Sequence, residues 1–231
     1  MQAMYLPPQF AVKDIDVARD LIRAHPLASL VSSDDDGFPF VTHLPLHLAD
    51  APWPAATETA PAPADAGQGE ALLLLGHCAK PNPHWRYLLA RPKALVVFMG
   101  PHAYMTPRVY PDLARVPTWN YLAVHCQVQA HMLESFDDKD RLLKHLIHDH
   151  DPAYAAQWRA LAEDYQHRMM NGIVAFALRV TDVQCKVKLN QHRPEAHAAM
   201  HALYAEGNED ERQLAEWMER LGMAPPAGEG A

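Results

Sequence analysis

The chain has 231 residues, of which 49% are hydrophobic and 21% charged, a mix that supports a packed core. Its formal net charge of −8 removes the electrostatic attraction behind most non-specific nucleic-acid affinity. No apolar run approaches the ~20 residues a membrane-spanning helix needs, and Met1 to Phe10 carries neither the basic nor the apolar stretch of a signal peptide.

Asp14–His25 reads as the first helix, with Val17, Leu21 and Ile22 at helical spacing and Pro26 as its stop. Leu27–Ser32 and Phe38–Leu48 read as the arms of a hairpin around Asp34–Gly37, where Gly37 can take positive φ. Pro39 and Pro45 put the second arm at an edge, at a bulge, or against a ligand. Residues 51–69 are Pro/Ala-rich and aperiodic, and are expected to form a mobile loop. Glu70–His77 resumes as a strand. Pro81–Ala90 is a short helix with Asn82 as N-cap and Pro83 at its first position. Lys93–Gly100 is apolar enough to be buried on both faces. After a loop over 101–117, Thr118–Leu133 alternates as a long strand, followed by helices within 137–170. Ile173–Leu189 alternates again, and helices over 194–206 and 209–221 precede a Pro/Gly tail.

Strand runs broken by helices at three places predict an antiparallel barrel with helical cover. The domain expectation is a barrel domain over 1–193, with 137–170 as a helical insertion, and C-terminal helices plus tail over 194–231. No G-x-G-x-x-G or P-loop is present, so a Rossmann or Walker nucleotide site is not expected. Cys78, Cys126 and Cys185 lie far apart among apolar neighbours, which suits buried thiols in a reducing, cytoplasmic setting. Of the fifteen histidines, His145, His148 and His150 crowd one helix end, and His197 with His201 have i, i+4 spacing. Histidine near a helix C-terminus is favourable without a metal, and none is expected.

Four segments interrupt strand runs with polar or aromatic groups. Thr42-His43-Leu44-Pro45 leaves backbone groups that either meet a flat heterocycle or belong to a bulged edge. His77, Lys80 and Asn82 surround a strand-to-helix turn that is either a phosphate cradle or an ordinary capped turn. Trp119 and Asn120 open a strand, where they can stack on a ring or form a dimer interface. Lys186 and Lys188 lie on one strand face and Arg193 follows Gln191, making the densest basic patch of the chain. That patch reads either as phosphate recognition or as a solvated strand end.

Taken together these segments resemble the PaiB-type family of FMN-binding negative transcriptional regulators. The resemblance covers most of residues 4 to 200. It is carried by Met4-Tyr5-Leu6-Pro7, Thr42-His43-Leu44-Pro45-Leu46, Gly76-His77, Ala79-Lys80 and Asn82-Pro83-His84-Trp85, and continues through Pro117-Thr118-Trp119-Asn120-Tyr121, Val124-His125, Lys188-Leu189, Gln191 and Arg193-Pro194-Glu195. It implies an α+β fold, the FMN-binding split β-barrel related to pyridoxamine-phosphate oxidase, with helical cover and C-terminal helices. It also implies a homodimer with FMN at the subunit interface. Thr42, His43, Leu44 and Pro45 would then face the isoalloxazine, and His77, Lys80 and Asn82 the ribityl phosphate. Trp119, Asn120 and Gln191 would close the site, with Lys188 and Arg193 beside them. The chain departs from the family pattern at Asn190, where a small hydroxyl residue is common, and at His192, where Asn is common. Val187 and Val109 stand where Trp is usual.

The resemblance implies a regulatory output through a metabolite, a protein partner or DNA. No helix-turn-helix pattern is visible, and the acidic balance favours the first two. The alternative is a flavin-dependent oxidoreductase or flavin reductase acting on a small substrate, in which the flavin carries the redox step.

Overall fold

The computed structural model describes residues 4–49, 53, 72–112 and 114–224. The expected loop over 51–69 and the Pro/Gly tail lie outside these, apart from Trp53. The chain divides into two compact units. One comprises Met1–Ala24, Met99–Val124 and Gln184–Ala231; the other comprises His25–Phe98 and His125–Val183.

The second unit is a sheet wrapped by helices. It contains β2 (Leu27–Ser33), β3 (Pro39–Pro45), β4 (His47–Leu48), β5 (Leu73–Ala79), and parts of β6 (Lys93–Met105), β7 (Thr118–Leu133) and β8 (Ile173–Lys188). The strand order is β3-β2-β6-β7-β8-β5-β4. Leu27–Ser33 pairs antiparallel with Pro39–Pro45 around a turn in which Gly37 adopts φ 84°. The expected single arm Phe38–Leu48 is in fact two strands. Only Leu46 separates β3 from β4, yet they lie at opposite ends of the strand path, so the sheet curls back on itself there. Gly76 of β5 makes this seam possible. A Cβ on it would lie 2.4 Å from Leu46 Cδ2 and 3.3 Å from the Pro45 carbonyl oxygen.

Among the described residues four α-helices belong to this unit. α2 (His84–Ala90) follows β5, while α3 (Phe136–His150), α4 (Ala155–Ala160) and α5 (Glu163–Asn171) lie between β7 and β8. Ser135 caps α3 by accepting from the Asp138 N–H. Leu142 of α3 joins Trp53, Leu75, Leu133, Ala175 and Ala177 in one buried cluster, and the Arg141 guanidinium sits 4.4 Å from the Trp53 ring centroid.

In the first unit β1 (Ala11–Val12) pairs with the end of β8, Ala11 opposite Lys186 and Val12 opposite Cys185. α1 (Ile15–Ala24) buries Ala18, Leu21 and Ile22 at helical spacing. β6 continues through Gly100 to Met105, where the sequence suggested a loop. Pro101 can lie in it because β2 pairs β6 only through Leu95–Val97, so the missing N–H breaks no bond to β2. α6 (His197–Ala205) packs on α7 (Glu209–Arg220). The latter opens with a capping box between Asn208 and Glu211 and buries Leu214, Trp217 and Met218. Among the described residues no helix is long and apolar enough to cross a membrane.

Candidate functional site

Alternation along β3 leaves Val41, His43 and Pro45 exposed on one side, while Leu44 on the other is buried and Thr42 half-buried. Along this segment the side chains of Thr42 and Leu44 therefore lie on one side of the strand and those of His43 and Pro45 on the other. His43 reaches Ser29 across the strand pair, Nδ1 to Oγ 3.0 Å. Thr42 points at the entry of α2. Its Oγ1 lies 2.8 Å from His84 Nδ1 and accepts from Asn82 Nδ2 at 3.2 Å. The other ring nitrogen, His84 Nε2, is 2.9 Å from Ser32 Oγ. Asn82 Oδ1 accepts the His84 backbone N–H at 3.0 Å, which fixes the direction of the Asn82 amide. His84 is only 1% exposed, and Phe40 packs edge-on against it at 5.1 Å. Burial pulls its pKa from 6.5 down to about 4, so it is neutral at pH 7.

At the turn where a phosphate cradle is expected, most backbone N–H groups already have partners. Pro81 and Pro83 have no N–H. The Lys80 N–H donates to Gly172 O, that of Asn82 to Ala79 O and that of Arg86 to Pro83 O. The backbone of Trp85 stands close enough to the Cys78 thiol to oppose the rise that burial gives its pKa. Pro83, not Asn82, occupies the N-cap position, and α2 has seven residues. What remains for an anion is the exposed side chain of Lys80; His77 is half-buried, and burial lowers its pKa.

In the first unit, Lys186 and Lys188 project on one face of β8 while Val187 and Leu189 are buried on the other. Lys186 is 7% exposed and donates to Tyr5 O at 3.0 Å. Lys188 donates to Thr118 Oγ1 at 2.6 Å. The Tyr121 ring lies under both, its centroid 5.1 Å from Lys186 Nζ and 5.8 Å from Lys188 Nζ. Among the described residues neither ammonium has a carboxylate partner. Burial, then the charge of Lys186, lowers the Lys188 pKa. This is unmet positive charge.

Other expected residues serve the first unit's own packing. Asn120 is fully buried and donates to Tyr204 Oη at 2.9 Å, whereas Trp119 beside it faces outward, because neighbours on a strand point oppositely. The Gln191 amide donates to Val187 O and accepts from the Leu189 N–H, closing its own turn. Within that turn Asn190 takes φ 57° and donates to Tyr110 Oη at 3.0 Å; Asn tolerates that backbone better than a β-branched residue. Arg193 lies 3.8 Å from Glu195.

Several histidines cluster in the second unit. His47 Nδ1 is 2.8 Å from Asp149 Oδ2, His47 Nε2 is 3.1 Å from His150 Nε2, and His145 Nε2 reaches Leu48 O at 3.1 Å. Among the described residues no group of three or more such side chains is placed to hold a metal.

Comparison with known proteins places these features. The family model described as "Putative FMN-binding domain" matches residues 4–182. "Protease synthase and sporulation protein PAI 2" of Bacillus subtilis (strain 168) is 31% identical over 222 residues, which cover 94% of this chain and 97% of that protein. The chain belongs to the FMN-binding domain family. The expected resemblance to the PaiB type is thereby shown, and the expected cofactor, FMN, is that of the family. The flavocytochrome Anf3 from Azotobacter vinelandii superposes with a TM-score of 0.58 at 14% identity, over 78% of this chain and 70% of that one. The FAD and heme binding protein from Mycobacterium smegmatis gives 0.56 at 17%, over 77% and 73%. Identities this low show the fold alone, which is the expected α+β split barrel.

FMN makes two chemical demands on an FMN-binding domain: polar groups for the edge of a flat ring, and positive charge for a phosphate. The chain offers both kinds of group. Thr42 presents an oriented hydroxyl at β3, the last strand of the path. Lys186 and Lys188 present two ammonium groups that no carboxylate among the described residues neutralises. Each of these groups, taken in its own unit, suits the cofactor. The sequence named Thr42, and Lys186 with Lys188 as a basic patch; it did not single out Ser32 or the central place of His84.

Proposed function

We propose that this protein binds FMN as a homodimer and acts as a regulator. The observation that carries the reading is the Lys186–Lys188 pair. A buried ammonium without a counter-charge is costly, and a dianionic phosphate removes that cost. We assign a polar edge of the ring to Thr42 of the second unit, with Asn82 orienting it; taken by itself, the Lys188 and Lys186 pair of the first unit is suited to an anionic group. The flavin supplies the redox chemistry when bound, and the chain's own residues bind and orient it.

The regulatory output is supported by near full-length similarity to the Bacillus subtilis PAI 2 protein, whose name links it to protease synthesis and sporulation. A net charge of −8 favours action through a protein partner or metabolite over DNA. The dimer reading is supported by apolar surface: Met99, Tyr104 and Trp119 are each about half exposed, with the Tyr104 and Trp119 rings 6.3 Å apart. Three buried cysteines suit the cytoplasm.

Titration of flavin-free protein with FMN, followed by fluorescence quenching, tests the reading. Lys188→Met is expected to weaken binding by about tenfold or more, the loss of one charge-assisted bond to phosphate. An unchanged dissociation constant contradicts the assignment. A second reading, a flavin-dependent oxidoreductase, draws on the buried Ser32–His84–Thr42 chain, an arrangement suited to moving protons. Sustained oxidation of a nicotinamide donor by the FMN-loaded protein would favour it.

A further inference from the structure

We propose that Ser32, His84 and Thr42 form a proton relay that lets the Thr42 hydroxyl present either a hydrogen or a lone pair to the bound ring, with His84 as the positioning residue. This rests on the assignment of Thr42 to the ring edge.

Counting hydrogens gives the argument. His84 is neutral and carries one ring hydrogen, and each of its nitrogens faces a hydroxyl, Nδ1 at 2.8 Å and Nε2 at 2.9 Å. Hydroxyls both donate and accept, so either tautomer is satisfied. Thr42 Oγ1 already accepts from Asn82 Nδ2. When Nδ1 carries the hydrogen, it fills the second lone pair of Oγ1, and the Thr42 hydrogen must point outward; Ser32 then donates to Nε2. When Nε2 carries the hydrogen, it donates to Ser32, Thr42 donates to Nδ1, and Oγ1 keeps a lone pair facing outward. Among the described residues no carboxylate touches His84, so none of them pins one tautomer. A carboxylate on either nitrogen would fix it.

Passing between the two states moves one proton. Water gives a proton to Ser32 Oγ as Ser32 gives its own to His84 Nε2. His84 Nδ1 gives its proton to Thr42 Oγ1, and Thr42 releases one outward. His84 is neutral before and after, and no charge is left in the core. A ring whose edge accepts a hydrogen bond when oxidised, and donates one after gaining hydrogen, calls on the two states in turn.

Nitrogen NMR on protein labelled with ¹⁵N-histidine reads the tautomer directly. In the FMN-loaded protein we expect Nδ1 to carry the hydrogen when the flavin is oxidised and Nε2 when it is reduced with dithionite. The same tautomer in both states, or a doubly protonated ring at pH 7, overturns the relay. Ser32→Ala is expected to abolish the exchange, and an exchange that persists in it also overturns the relay. Thr42→Val separates the relay from the reading beneath it, with an expected loss of about tenfold in FMN affinity. Unchanged affinity would remove the ring from Thr42, and the relay's role with it. Weakened affinity with a fixed tautomer would leave the site standing and refute the relay alone.

Discussion

At the scale of single residues, burial decides which histidines can change charge. His84 has a pKa of about 4 in the folded protein against 6.5 ordinarily. Because the folded value is the lower one, the unfolded chain takes up the proton first as pH falls. Its contribution is therefore complete above pH 6.5 and is lost progressively towards pH 4, on the order of 3 kcal/mol in all. Urea unfolding of wild type and His84→Gln at pH 7 and pH 4.5 measures this. The wild type is expected to lose more stability between the two pH values than the variant does, and equal losses would contradict the burial argument. His47 behaves similarly in direction: desolvation lowers its pKa against the opposing pull of Asp149. It also ties β4 to the end of α3 through Asp149 and His150. His47→Ala is expected to speed amide hydrogen exchange over 145–150 while leaving α7 unchanged. Equal protection in wild type and variant would show that the cluster is ornamental.

At the scale of elements, the seam between β3 and β4 depends on Gly76. Leu46 is fully buried and has little room to retreat from an added Cβ at 2.4 Å. Gly76→Val is expected to cost about 1–3 kcal/mol by overpacking, read as a lowered denaturation midpoint. Asn208→Ala, which removes the cap of α7, is expected to cost about 1 kcal/mol. A Gly76→Val loss no larger than that of Asn208→Ala would mean that the seam yields freely. Elements with strong periodicity were legible from sequence. Thr118–Leu133 alternates cleanly and forms a strand over those residues, and the helix expected at Glu209–Leu221 runs Glu209–Arg220. Breaks were harder to read. Gly100-Pro101 looks like a strand end, but Gly100 is there because a Cβ would lie 3.2 Å from that of Leu122. The break at Leu46 is invisible locally, since only the pairing of His47 and Leu48 with β5 reveals a second strand.

At the scale of the whole molecule, family and fold were legible because short motifs recur in order along most of the chain. The site was legible only in part. Thr42 and Lys188 stood out as polar groups in strand runs. The partners of Thr42 are 40 and 42 residues away, and Ser32 is 52 from His84, so no local pattern links them. Asn120 and Gln191 suit a ligand by type and also bond within their own unit, Asn120 to Tyr204 and Gln191 to its own turn. Self-association belongs to this scale too. Light scattering is expected to give the mass of a dimer for the native chain and of a monomer for Trp119→Glu. A monomeric native chain would refute the assembly, and a dimer that survives the substitution would move its contact away from Trp119.

The central claim is that this chain holds FMN. Its most direct test is the visible absorption spectrum of protein purified without added flavin, followed by acid release and mass identification of the chromophore. The account predicts a flavin spectrum and released FMN, or stoichiometric uptake when FMN is added. A colourless protein that takes up no FMN on titration would contradict it.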